Sequence, residues 1–255
     1  MTQDPPGYSL TLIAHRGYSA AAPENTLSAL EAAVAVSADG IEWDMSTAAC
    51  GTPVLFHDST LERTTDGRGK LTEIPWSELS GLDAGSWFGD EFAGERVPSL
   101  RQACEALVDW RYTGTIIAEI KGWASVDDVD RMVAVISATP LCETTRYIAL
   151  DWAAVDRVAR TSPDASVAFI VERPERWNEG LRRARAVDGA GLAVDYRILL
   201  EDPRRVDAAF ELGIPVGVWT VDEPSQAARL HELGIRDITT NQVKRLAEWR
   251  ESLSE

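Results

Sequence analysis

The chain has 255 residues, 45% of them hydrophobic, and a formal charge of −16 at pH 7. That length suits one large α/β domain or two small ones, and the apolar fraction fills a sizeable core. The charge argues against non-specific binding to nucleic acid or to an anionic membrane surface, and an anionic substrate needs local positive charge set against the global field. Met1 to Tyr8 carries neither a basic start nor an apolar run, and no later run approaches membrane-spanning length. Cys50, Cys104 and Cys142 are far apart and lack C-x-x-C spacing, as expected of reduced thiols rather than of a disulfide framework or a zinc site. The expectation is a soluble cytoplasmic protein with no stable membrane anchor.

Leu10 to Ala14 reads as a strand that runs into the loop His15-Arg16-Gly17. Pro23-Glu24-Asn25-Thr26 opens a helix whose Leu27, Leu30, Ala33 and Val34 recur at helical spacing. Gly40 to Met45 is a second strand, announced by the turn signal Asp39-Gly40. Pro53 to Phe56 is a third, and it delivers His57-Asp58. Residues 59–98 are rich in Gly, Thr, Asp and Ser, with Trp76, Trp87, Phe88 and Phe92 scattered among them and at most a helical turn at Ser77 to Leu79. Such a segment is either a functional lid or a surface excursion with its own small hydrophobic cluster.

Regular structure resumes at Pro98. Ser99 with Gln102 forms a capping box, and Leu100, Ala103, Cys104, Leu107 and Val108 form the expected buried stripe. Thr115 to Ile120 is a strand. The helix from Ser125 carries Val126, Val129, Val133 and Ile136. Further strands fall at Tyr147 to Leu150, Val167 to Val171 and Leu192 to Val194. Glu211-Leu212-Gly213-Ile214 recurs as Glu232-Leu233-Gly234-Ile235, each closing a helix that begins at a proline, Pro203 or Pro224. Strands at Val216 to Thr220 and Asp237 to Thr240 follow. About eight strand–helix alternations with no dividing linker imply parallel strands covered by helices. A single domain over residues 1–255 follows: a closed (β/α)8 TIM barrel with a small insert over about 59–98, ahead of a doubly wound open sheet.

The chemistry starts at Ile41-Glu42-Trp43-Asp44. Strand side chains two apart share a face, so Glu42 and Asp44 project together and repel unless something positive lies between them. Other polar residues also gather at predicted strand ends: His15 and Arg16, His57, Glu119 with Lys121, and Trp219-Thr220. In a (β/α)8 barrel that end is the catalytic face. Glu42, Asp44 and Glu119 offer carboxylate oxygens to one divalent cation, Mg²⁺ or Ca²⁺. Arg16 and Lys121 neutralise an oxyanion. His15 and His57 titrate near neutrality and serve as general acid and base. A metal, two cations and two histidines suit cleavage of a phosphate diester. His231 lies within a helix and is read as structural.

These motifs in this order, from His15-Arg16-Gly17 through Pro23-Glu24-Asn25-Thr26, Glu42-x-Asp44, His57-Asp58 and Glu119-x-Lys121 to Trp219-Thr220, resemble the glycerophosphodiester phosphodiesterase family. The resemblance runs from residue 11 to about 241 and includes Leu82 to Phe88 and Phe92 to Pro98 of the insert. It implies the barrel and insert, a Mg²⁺ or Ca²⁺ ion on Glu42, Asp44 and Glu119, acid–base roles for His15 and His57, and phosphate contacts from Arg16 and Lys121. Glu24 and Asn25 match a motif that shapes the site, and Trp219 an apolar wall beside the glycerol or the leaving group. Two positions depart from the pattern: Asp151-Trp152 stands where Ser-Phe is frequent, and Asn241-Gln242-Val243 where an acid and a proline are. Neither is expected to touch the catalytic set.

The leading expectation is a metal-dependent hydrolase that releases glycerol 3-phosphate and an alcohol from small-molecule glycerophosphodiesters. Phospholipase D-like activity on lysophospholipids and a non-catalytic barrel that binds phosphorylated ligands are the alternatives. The oligomeric state is open.

Overall fold

The computed structural model describes residues 10–252; the reading of Met1 to Tyr8 lies outside the described residues. The strands are β1 Thr11–Ala14, β2 Gly40–Thr47, β3 Pro53–Leu55, β4 Thr115–Gly122, β5 Thr145–Ala149, β6 Ser166–Val171, β7 Gly191–Asp195, β8 Val216–Trp219 and β9 Asp237–Thr240. All except β3 are parallel to their neighbours. The pairing runs β1–β2–β4–β5–β6–β7–β8–β9 and returns to β1, which closes a (β/α)8 TIM barrel. β3 is not one of the parallel strands: it is antiparallel to β2 and forms a hairpin on its outer end.

Side-chain parity sorts the strand residues into two apolar groups. Leu12, Ile41, Trp43, Met45, Ile116 and Ala118 face outward and join the large core beneath the helices. Ile13, Ile117, Ile148, Ala168 and Ile170 face inward and form a separate cluster along the barrel axis. The period of two thus explains how one short strand feeds the helix layer with one set of residues and the barrel interior with the other.

The covering helices are α1 Leu27–Ala35, α2 Trp76–Leu79, α3 Leu100–Asp109, α4 Val126–Ser137, α5 Trp152–Thr161, α6 Trp177–Arg185, α7 Tyr196–Glu201, α8 Arg204–Glu211, α9 Pro224–Glu232 and α10 Val243–Ser252. Thr26 caps α1, its Oγ1 accepting from Ala29 N. Ser99 and Gln102 form the expected reciprocal box on α3. Gly213 and Gly234 take positive φ, 69° and 90°, just past α8 and α9. The predicted stripes are too wide at their ends. Val108 is 38% exposed and Val126 44%, because Val108 falls at the edge of the α3 stripe and Val126 opens the first turn of α4.

The insert has its own hydrophobic cluster of Leu61, Leu71, Leu79, Ala84 and Val97, packed with Val54 and Phe56. Of the two readings of this segment, the excursion with a small core of its own matches the packing. The Asp83 carboxylate organises its outer loop, accepting from the backbone N–H groups of Gly85, Ser86 and Gly94 and from the Ser86 hydroxyl. Gly85 is required where it stands: a Cβ there would lie 2.0 Å from the Phe92 carbonyl oxygen.

Candidate active site

β1 ends at Ala14, and the chain turns sharply. Arg16 has φ 57° and Gly17 φ 76°. Gly17 passes so close to α1 that a Cβ would sit 2.6 Å from the Ala29 carbonyl carbon. This turn aims the Arg16 backbone N–H at Glu42 Oε2, 2.9 Å away. It also sends the guanidinium to Glu24, with Nη1 donating to Oε1 at 2.7 Å, and brings Nε within 3.1 Å of Asp44 Oδ2.

Register brings the three acids together. Asp44 on β2 lies level with Glu119 on β4. One oxygen from each of Glu42, Asp44 and Glu119 falls within 4.8 Å of the others. Glu42 and Asp44 are 3% and 1% exposed, yet Glu42 Oε1 and Asp44 Oδ1 have no hydrogen-bond partner among the protein groups. Lys121 Nζ stands 3.2 Å from Glu119 Oε1 and 3.8 Å from Asp44 Oδ1. Burial pushes the Glu42 carboxyl well above the usual range, reinforced by Asp44 and Glu119 and opposed by Arg16. Glu119 is pushed up to about 7, again first by burial and then by Asp44, against the pull of Lys121. Buried carboxylate oxygens without partners, in a cluster short of positive charge, are the donor set a hard divalent cation requires.

Asn25, at φ 58°, clasps Asp44 from behind: its Nδ2 donates to Asp44 Oδ2 at 2.8 Å, and its Oδ1 accepts from Asp44 N at 3.0 Å. A short polar side chain tolerates this left-handed backbone better than most.

The histidines are held from opposite sides. His57 Nδ1 lies 2.5 Å from Asp58 Oδ1. A carboxylate only accepts, so Nδ1 carries the proton. His15 Nδ1 lies 2.7 Å from Asn241 Oδ1. The Asn241 amide is oriented by Asp222, which accepts from both its Nδ2 and its backbone N, so its oxygen faces His15, whose Nδ1 is again the donor. His15 Nε2 is left 3.9 Å from Glu42 Oε2. Burial, with the Arg16 guanidinium beside it, lowers His15 to about 4. The expectation that Asn241 stays clear of the catalytic set is therefore wrong. The last barrel strand is hydrogen-bonded to the first, with His15 N donating to Thr240 O, so the residues just past both strands meet. Asp151 does stay clear: it caps α5.

His15, Arg16, Glu42, His57, Glu119 and Lys121 line the mouth of a cavity of about 360 Å³. Below them it continues into the barrel between Ile117, Ile148, Ile170, Ala193 and Trp219. Asp44 lies behind this wall rather than on it, while Glu24 and Asn25 border a small adjoining cleft with His57. Sequence reasoning missed Asn241, Asp222 and Arg63. Arg63 binds Glu24 from 39 residues away, and no local pattern marks such a contact. Asn241 had a signal, since its strand was expected to be the last and therefore to lie beside the first.

Fold and mouth together define a (β/α)8-barrel enzyme with a cluster of three carboxylates, able to hold a cation, beside two histidines. The sequence pattern of the Glycerophosphoryl diester phosphodiesterase family matches residues 15–245, and the chain belongs to that family. A glycerophosphodiester phosphodiesterase of Caldanaerobacter subterraneus subsp. tengcongensis is 29% identical over 241 residues, 92% of this chain and 95% of the relative. A phosphodiesterase of Oleispira antarctica, solved in complex with its product sn-glycerol 3-phosphate, superposes with a TM-score of 0.87 at 28% identity, over 94% of this chain and 96% of that one. A glycerophosphodiester phosphodiesterase of Agrobacterium tumefaciens gives 0.76 at 25% identity, over 94% and 99%. Among the described residues, no helix is long and apolar enough to cross a membrane.

Proposed function

We propose that the chain hydrolyses small glycerophosphodiesters to glycerol 3-phosphate and an alcohol, with one divalent cation, Mg²⁺ or Ca²⁺, held by Glu42, Asp44 and Glu119. The observation that carries this reading is the convergence of those three carboxylates, two of their buried oxygens unpartnered, with two cations and two histidines around one cavity. A divalent cation held by Glu42, Asp44 and Glu119 would supply a Lewis acid that offsets the charge developing on the phosphoryl group. Arg16 and Lys121 meet the remaining phosphoryl oxygens, Arg16 with guanidinium N–H groups and Lys121 as a compact charge. Each histidine keeps its proton on Nδ1 and presents Nε2. One takes the proton of the attacking oxygen, either water or the glycerol hydroxyl beside the ester, the latter giving a cyclic phosphate that water then opens to glycerol 3-phosphate. The other, carrying a second proton on Nε2, donates it to the departing alcohol oxygen. Asn25 holds Asp44, and Trp219 walls the substrate. We take residues 1–255 as one catalytic unit with the insert at its rim, and place it in the cytoplasm, where free thiols such as Cys50, Cys104 and Cys142 persist.

The apolar walls below the mouth support a second reading, in which an acylated glycerophosphodiester enters with its chain in the barrel. Glycerol 3-phosphate release from glycerophosphocholine, with and without chelator, tests the first reading. Turnover of lysophosphatidylcholine alone would favour the second, and no turnover of either would leave a binding protein.

A further inference from the structure

Arg63, in the insert, lies at the rim of the catalytic mouth and is half exposed. Its guanidinium forks two carboxylates at once. Nε and Nη2 donate to Asp58 Oδ2 and Oδ1 at 2.5 and 3.0 Å. Nη1 and Nη2 donate to Glu24 Oε2 and Oε1 at 2.8 Å each. Both carboxylates pass the constraint inward. Asp58 Oδ1 also accepts from His57 Nδ1, and Glu24 Oε1 also accepts from Arg16 Nη1. Arg63 and Arg16 hold the Glu24 carboxyl at about 2 against the opposing effect of burial, and Arg63 holds Asp58 at about 2, so both are acceptors near neutral pH.

We propose that Arg63 is a positioning residue for the phosphodiester reaction: it fixes His57 through Asp58 and Arg16 through Glu24, so that the insert sets the proton-transfer and phosphate-binding groups in one geometry. This rests on the reading of the site given above. The alternative, a surface ion-pair network that serves stability, fits less well. Exposed pairs contribute little to stability, whereas this one saturates two carboxylates that each hold a functional side chain. Four N–H groups of one planar fork are engaged, an arrangement an ammonium group cannot reproduce.

The test uses R63A and R63K. Both are expected to lower kcat on glycerophosphocholine by about 10- to 100-fold, the loss that displacement of a catalytic group by about 1 Å brings. Melting temperature and cation affinity should stay at wild-type values, and added methylguanidinium should restore part of the activity of R63A. In the D58A/E24A background, R63A should cost nothing further, because its action runs through those two residues. An independent readout is the nitrogen NMR of His57: one fixed Nδ1–H tautomer in the wild type and a mixture in R63A. It reports which His57 nitrogen carries the proton whatever the substrate, so a wild type inactive on glycerophosphocholine would overturn the proposed function, while the His57 signals alone still decide whether Arg63 holds that ring. Wild-type kcat in R63A with unchanged His57 signals would overturn it. So would a loss accompanied by a matching fall in melting temperature, or a full further loss in the D58A/E24A background.

Discussion

Two groups of acids meet on either side of Arg16, which contacts Glu24 and Asp44, and they are in opposite electrostatic states. Glu42, Asp44 and Glu119 are drawn together inside the barrel, where burial and mutual repulsion raise the pKa values of Glu42 and Glu119. Glu24 and Asp58 at the rim are held down near 2, with Arg63 forked across both. The residue types are the same, and what differs is whether the chain supplies the positive charge. At the rim a guanidinium completes the arrangement. In the barrel Arg16 and Lys121 reach the edges of the cluster, but Glu42 Oε1 and Asp44 Oδ1 remain without a partner. The chain's own groups leave this cluster incomplete, and its geometry is able to hold a metal ion.

The largest expected effect comes from the histidines that each side holds. His57→Ala on the rim side and His15→Ala on the cluster side should each lower kcat by about 10² to 10⁴. The double variant should fall well short of the product, since the two act in one proton-transfer sequence. A kcat near the wild-type value in either single variant would remove that histidine from the mechanism.

Next comes the cation. An ion that binds only the folded protein stabilises it by about 2.7 kcal/mol at a free concentration one hundred times its dissociation constant. Chelator should therefore lower the melting temperature of the wild type more than that of Glu42→Gln. The variant should lose activity that excess metal partly restores. Full activity in dialysed, chelator-treated protein would erase the distinction between the two groups of acids.

A smaller effect is expected in pH dependence. The folded-state pKa values of Glu42 and Glu119 lie above the usual 4.5, that of Glu119 at about 7. The contribution of Glu119 to the stability of the ion-free protein is thus fully present below the usual value and is lost as pH rises through about 7, and that of Glu42 is lost in the same direction as pH rises. The ion competes with those protons, so its affinity should be weaker at pH 6 than at pH 8, with proton release on binding near pH 7. Calorimetry in buffers of different ionisation enthalpy measures both. Affinity constant from pH 8 to pH 6 would mean that the cluster titrates like ordinary surface acids.

The smallest effect is expected from Asn241→Asp. A carboxylate there still accepts from His15 Nδ1, and a proton shared with the Asp222 carboxylate replaces the lost Nδ2 donor, so the His15 side resembles the His57 side and kcat should change only a few-fold by steady-state assay. A loss as large as that of His15→Ala would show that the neutral amide itself matters.

Much of the site was legible because strand parity is a strict rule. Glu42 with Asp44, and Glu119 with Lys121, had to share a face once each pair was placed on a strand. The turn motifs at His15-Arg16-Gly17 and Pro23-Glu24-Asn25-Thr26 were equally local, and the close passage of Gly17 past Ala29 gives the glycine its reason. What escaped was non-local or marginal. Arg63 reaches Glu24 across the insert, and Asn241 meets His15 from the far end of the chain. β3 satisfied every local criterion for a strand, yet its short connection to β2 makes it a hairpin partner rather than a parallel neighbour. Val108 and Val126 failed at helix ends, where spacing is a weaker guide to burial.

The seam of the barrel bears on how the protein is made. β1 pairs with β9 from Thr11–Asp237 to Ala14–Thr240, and Arg250 of α10 ties the joint, donating to Leu10 O and Asp39 Oδ2 at 2.6 and 2.5 Å. During synthesis β1 finds this neighbour only after all the strands between them have followed. Such long-range pairings are slow to form, and domains generally fold as units. His15 therefore meets Asn241 only once β9 has been made, and a nascent chain stopped short of β9 carries most of the site's residues without that contact.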